Sequence, residues 1–214
     1  MFLYLRNNLR IAIDKIVDFY YNIDTASRKP ELSKEPSHFG DAGIKNPVSY
    51  WVLKIFLNPK RFSHKDVFFD VGCGEGRVLC MVARQRISKC VGIELSKKFA
   101  EKARSNAQSM NRRKSPIQVV IGDAINADYS EGTIYYFGDP FGQSTMEKVL
   151  ENIELSLIKN PRNADFFFFL PKDDKDGRRE VIRKCKWLSL KETKTTKIFY
   201  QCMEHYSFTQ SRTS

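Results

Sequence analysis

Apolar and polar positions fall into blocks along this 214-residue chain, and the period of the blocks changes. In the opening stretch, MFLYLRNNLRIAIDKIVDFYYNID, residues Leu5, Leu9, Ile13, Ile16 and Tyr20 recur three or four apart. That spacing lines them along one face of a helix. Such a stripe suits a helix packed on the protein's own core, a lid over a pocket, a dimer contact or a helix lying on a membrane. The following TASRKPELSKEPSHFGDAGIKNP is polar and broken by Pro and Gly, and reads as an irregular linker. Helical spacing returns in VSYWVLKIFL and stops near Asn58 and Pro59.

Beyond this point short apolar runs alternate with amphipathic ones. DVFFDVG, KCVGIEL, IQVVIGD, TIYYFGD and ADFFFFLP read as strands, nearly continuous in apolar character as in a parallel sheet covered on both faces. RVLCMVARQR, SKKFAEKARSNAQSM with Ser96 as N-cap, and STMEKVLENIELSLI read as the intervening helices. KWLSLKETKT and KIFYQCMEHYSF then suggest two antiparallel strands. KDDKDGRRE is a charged loop entering a short helix. The pattern predicts an α/β fold with a doubly wound, mostly parallel sheet and an antiparallel edge. Residues 47–208 form the domain, 1–46 a helical extension and linker, and 209–214 a polar tail. In such sheets ligands bind at the carboxyl ends of the strands.

Composition narrows the classes. A hydrophobic content of 42% with 16 Phe excludes a disordered chain. A net charge of +11 suits an acidic partner, whether nucleic acid, an anionic membrane face or an acidic protein. The basic NRRK cluster, residues 111–114, falls on the amino-terminal side of the sheet and reads as a solvated loop. Five scattered cysteines with no CxxC indicate free thiols in a reducing compartment, and with three His no metal site is expected. Arg6, Arg10 and Asp14 interrupt the first apolar run, so neither a signal peptide nor a membrane span is expected. The expected location is cytoplasmic, or nuclear in a eukaryote.

The chemistry concentrates at strand ends. Asp70, Gly72, Gly74 and Gly76 lie in DVGCGEG, where alternate glycines permit a tight turn and close approach to a ligand. A dinucleotide fingerprint would carry its third Gly one residue later, where Arg77 stands, and Glu75 would oppose a phosphate. A ligand with a positive or neutral group fits better, which disfavours a nicotinamide-dependent oxidoreductase. Glu94 ends the second strand, where a carboxylate can accept from ribose hydroxyls, and Asp123 ends the third, where it could receive an exocyclic amine.

With these residues in view, the sequence resembles the class I (seven-stranded, Rossmann-like) S-adenosylmethionine-dependent methyltransferases over residues 47–208. DVGCGEG matches the family's acid-x-Gly-x-Gly-x-Gly loop, Glu94 its ribose-binding acid, and Gly122, Asp123 and Ala124 its adenine-contacting segment. The resemblance implies S-adenosyl-L-methionine as cofactor and a last strand inserted antiparallel. It also implies that Tyr50, in the helix before the glycine loop, borders the cofactor's methionine end.

GDPFG falls where the family's fourth motif lies. It is similar to the Asn/Asp-Pro-Pro-aromatic motif of amino-group methyltransferases, but with one Pro and with Gly142 in the aromatic's place. On this basis Asp139 orients or deprotonates a nucleophile, Pro140 fixes the backbone, and Phe141 offers a face to a planar substrate or a cation. The alternative, in which Asp139 caps the strand and Phe141 packs in the core, stays open. The expected activity is N-methylation of an amine on a protein, nucleic acid or small molecule. A non-catalytic cofactor-binding scaffold or sensor is the other reading.

Overall fold

The computed structural model describes residues 2–26, 47–196 and 201–210. Seven strands form one sheet: β1 (Val67–Val71), β2 (Lys89–Glu94), β3 (Ile117–Ile121), β4 (Ile134–Phe137), β5 (Ala164–Pro171), β6 (Ser189–Thr196) and β7 (Gln201–Phe208). Their order is β3-β2-β1-β4-β5-β7-β6. The first five pair in parallel, and β7 inserts antiparallel to both β5 and β6. Six helices accompany them among the described residues: α1 (Phe2–Tyr21), α2 (Tyr50–Phe56), α3 (Arg77–Val82), α4 (Lys97–Ser109), α5 (Gln143–Lys159) and α6 (Arg178–Lys184). Ser96 caps α4, its hydroxyl accepting from Phe99 N. The expected linker over residues 27–46 lies outside the described residues, as do 211–214 of the polar tail.

The strand period of two sends alternate side chains to opposite layers. Phe68, Tyr136, Phe167 and Phe169 pack with Leu53, Phe56, Leu79 and Ala103 on one face. Val67, Phe69, Tyr135, Phe137, Phe166 and Phe168 pack with Met146, Val149, Leu150 and Ile153 of α5 on the other. The register places Tyr135 beside Phe166 and Phe137 beside Phe168. These rings stack at centroid distances of 4.9 and 4.8 Å. Offset stacking of this kind adds about 0.5–1.5 kcal/mol per pair beyond area burial, and it fixes β4 against β5 next to the site.

The first helix departs from the simplest expectation. Its apolar stripe does not pack on the core: Leu9, Ile13, Ile16 and Tyr20 are exposed, and so is Phe19. Leu5 lies outside the residues described at side-chain level. The buried side carries Asp14, Asp18 and Tyr21 instead. The cause is Arg77, which is also buried and reaches Asp14 at 3.0 Å. A buried guanidinium without a carboxylate would be strongly unfavourable, so the polar face of the helix turns inward to meet it.

Candidate functional site

The β1–α3 loop is shaped by three left-handed glycines, with φ of 79° at Gly72, 54° at Gly74 and 82° at Gly76. At Gly72 a Cβ would come within 2.4 Å of Pro140 Cβ, so the β1 and β4 loops touch there. At Gly74 a Cβ would meet nothing within 4 Å, which leaves an open cradle over the strand ends. Gly72 N and Cys73 N both donate to Ile93 O, tying the loop to β2. Glu94 completes the tie. Its Oε2 accepts from Gly74 N at 2.8 Å and its Oε1 from Ser96 N at 2.9 Å.

Beneath the loop, Asp70 pairs in register with Gly92 on one side and Tyr136 on the other. Asp70 is 2% exposed, and its Oδ2 has no hydrogen-bond partner; the buried Tyr136 hydroxyl also has none. Burial, reinforced by the Glu94 carboxylate, pushes the Asp70 carboxyl up to about 8. Burial likewise raises the Tyr136 phenol, with Asp70 and Asp139 adding to it. Two unsatisfied polar atoms in a native interior call for a partner. A ligand bearing a cationic or donor group would supply one. Asp123 is exposed at the end of β3, where its Oδ1 accepts from Ile125 N, and the adjacent Ala124 is buried.

The β4 loop separates the three residues expected to act together. Asp139 adopts a left-handed backbone, φ 59°, unusual outside Gly. Its carboxylate is half-exposed and accepts from Arg178. Burial raises the Asp139 carboxyl, while Arg178 pulls it back. Pro140 rests on Gly72 and so supports the cofactor-side loop. Phe141 is 7% exposed and packs edge-on against Phe137 at 6.4 Å. Its ring belongs to the core, so the expectation of a free aromatic face is corrected: with Gly142 behind it and α5 starting at Gln143, the ring falls into the layer below the sheet.

Arg178 was not among the expected site residues. It also binds Asp174 at 3.1 Å and Asp176 at 3.2 Å, so three carboxylates converge on one guanidinium. The first arginine of the charged KDDKDGRRE loop is thus held by acids of the same loop and of the β4 end. A groove of about 880 Å³ continues from this clamp, lined among others by Asp174, Gly177, Arg179, Thr195 and Glu204.

Tyr50 sits in the N-terminal anchor. It is 1% exposed, its hydroxyl donates to Asp18 Oδ1 at 2.6 Å, and Arg77 lies over its ring at 4.8 Å. The structure therefore does not present it to the cleft, a correction to the expected cofactor contact. Around it, Arg77 donates to Asp14, Val48 O, Thr25 O and Thr25 Oγ1. Asp14 also accepts from Ser49 Oγ and Tyr50 N, and Asp18 from Thr25 N. The signal available in sequence was the i, i+4 pair of acids on the helix face opposite the stripe.

Known proteins agree with this architecture. Residues 68–153 match the family model described as a methyltransferase domain. A protein-lysine N-methyltransferase from Saccharolobus islandicus is 28% identical over 89 residues, 41% of this chain and 55% of that protein. The match thus spans about half the length of the curated relative. An RNA methyltransferase from Salinibacter ruber, solved with S-adenosyl-L-homocysteine, superposes with a TM-score of 0.56 at 22% identity, covering 77% of this chain and 94% of that one. A magnesium protoporphyrin IX methyltransferase from Synechocystis with bound S-adenosylmethionine gives 0.55 at 18% identity, covering 74% and 77%. The strand order, the glycine loop and these likenesses converge: residues 68–153 match a methyltransferase domain, and the sheet around them has the class I, Rossmann-like fold of S-adenosylmethionine-dependent methyltransferases.

Proposed function

We propose that the chain is an S-adenosylmethionine-dependent methyltransferase acting on an amine nitrogen, with a protein lysine as the acceptor. The observation that carries the cofactor assignment is the orphaned Asp70 Oδ2 under the Gly74 cradle. The cofactor's methionine end bears an ammonium group, which suits a buried carboxylate with no partner. Glu94 ties the loop to the end of β2 through Gly74 N and Ser96 N, the strand end at which the cofactor's ribose would lie. Asp123 and Ala124 stand at the adenine end. When bound, the cofactor supplies a sulfonium methyl, whose C–S bond breaks as the acceptor nitrogen's lone pair forms the C–N bond.

The chain's own contribution is positioning and charge. Transfer to nitrogen needs a neutral amine aligned with the methyl group, and the extra proton leaves the nitrogen for water. Arg178 fixes Asp139 through one oxygen, so the carboxylate is held in place to accept an N–H and aim the lone pair. Asp139 and Asp176 keep their carboxylates partly exposed beside Arg178, where a cationic side chain could approach them. The groove beside Arg178 has room for the flanking residues of a polypeptide. The similarity to a protein-lysine methyltransferase supports this acceptor.

Labelled methyl transfer from S-adenosylmethionine into cell extract tests the reading. Label in the protein fraction, released as methyl-lysine on hydrolysis and lost in Asp139→Ala, is the expected result. Label in RNA or in small molecules would overturn the acceptor. Cofactor binding with no transfer to any fraction would favour the scaffold reading instead.

A further inference from the structure

Helix α1 divides its surface in a way that the Arg77 anchor does not require. Its inward acids are fully engaged, yet its outward side carries Leu9, Ile13, Ile16, Phe19 and Tyr20, with Phe19 87% exposed. With Ala12, these residues occupy an arc of about 120° at helical spacing. Lys15 is the one charged residue among the exposed positions 9–20. The arc is therefore apolar, free of acids and turned to solvent.

At its carboxyl end the arc meets the basic loop of residues 111–114, all exposed. Asn111 N donates to Tyr21 O at 2.7 Å, which fixes that loop to the end of α1. Arg112 donates to the Tyr20 hydroxyl and lies 5.1 Å over its ring. Arg84 lies over both Tyr20 and Tyr21, at 5.3 and 4.1 Å. The cations border the apolar arc, and the loop that reads in sequence as solvated belongs to the same surface.

We propose that this face docks on an anionic lipid surface, with the apolar arc at the headgroup–acyl boundary and Arg84, Arg112, Arg113 and Lys114 against lipid phosphates. Charge separates this occupant from the others. A second copy would bring its own basic loop to the same interface, and the net charge of +11 adds to that repulsion. Nucleic acid would meet the cations but leave Ile16 and Phe19 uncovered. A bilayer surface offers an anionic plane above an apolar layer within about 5–10 Å, the depth such helices reach. No described helix is long and apolar enough to cross a membrane. Asp14 and Asp18 hold α1 to the domain, so the helix lies on the surface.

Flotation of the full chain with vesicles tests this directly. Binding is expected to vesicles of phosphatidylcholine with phosphatidylserine, and to be at least about tenfold weaker to phosphatidylcholine alone. Ile16→Asp with Phe19→Asp should cut binding by about tenfold or more, and Arg112→Glu by about fivefold with a flatter salt dependence. Phe19→Ser, a milder change at an exposed position, should weaken binding about threefold and guards against misfolding of the double variant. All variants should keep their thermal midpoint and cofactor affinity. Absence of vesicle binding by the unmodified chain, or binding indifferent to Phe19, would overturn the proposal. A concentration-dependent dimer in sedimentation velocity, dissolved by the Phe19 variants and without vesicle binding, would give the face to a second copy and overturn it equally.

Discussion

Asp70 and Asp14 are both carboxylates inside the protein, 2% and 1% exposed, and they are in opposite states. Asp14 uses both oxygens, accepting from Arg77, Ser49 and Tyr50 in a network that fastens the N-terminal helix beside the glycine loop. Asp70 keeps one oxygen unpaired and has the Glu94 carboxylate as its chief charged influence. A buried acid whose bonds are all made is part of the scaffold. A buried acid left short of a partner costs stability in the free protein, and a site that binds a cationic ligand recovers that cost on binding. The two regions lie at successive positions along the chain, because Arg77 directly follows Gly76.

The contrast can be broken first at the anchor. Asp14→Ala leaves a buried guanidinium short of its counter-ion, and is expected to destabilise the chain by about 3–5 kcal/mol, read as a shift in the urea midpoint. Asp70→Asn should do the reverse. It removes a carboxyl that must take up a proton to be buried near pH 7, so the free protein should become more stable, while affinity for S-adenosylmethionine falls about tenfold to a hundredfold in calorimetry.

The pH dependence follows with a definite sign. The ordinary value for Asp70 is 3.8 and the folded value about 8. Below the first, the carboxyl is protonated in both states and costs nothing. Between the two, the unfolded chain releases its proton more readily, so stability should decline as pH rises through that window. Urea midpoints measured across it should show the decline in the unmodified chain and a weaker one in Asp70→Asn. A smaller effect is expected from Gly72→Ala, where positive φ and the Pro140 contact together cost about 1–3 kcal/mol. Smallest is Phe141→Leu, a core change expected to cost about 1 kcal/mol with methyl transfer retained. A collapse of transfer there, with stability unchanged, would return Phe141 to the substrate.

Most of the fold was legible because buried parallel strands have a plain signature. Runs such as VFFDV and ADFFFFLP had few other homes, and the glycine loop followed from its spacing. The acids at strand ends were legible as a series, Asp70, Glu94, Asp123 and Asp139. What escaped was the use of side chains whose partners are distant in sequence. Arg77 could be read as a misfit in a dinucleotide fingerprint, but its partners are 29 to 63 positions away. The stripe on α1 predicted an amphipathic helix, and of its open readings the one that packs the stripe on the core fails, because one buried guanidinium outweighed the apolar pattern. Tyr136 passed as another aromatic in a strand, since only the register shows that it lies beside Asp70. Phe141 looked exposed by analogy with a motif whose second Pro it lacks.

The measurement closest to the central claim is calorimetric titration of the full chain with S-adenosylmethionine near pH 7, in two buffers of different ionisation enthalpy. Micromolar binding is predicted, with close to one proton released as Asp70 ionises against the incoming ammonium, and with that release absent in Asp70→Asn. Failure to bind, or binding with no proton release in the unmodified chain, would contradict the assignment of Asp70 as the cofactor's buried counter-ion.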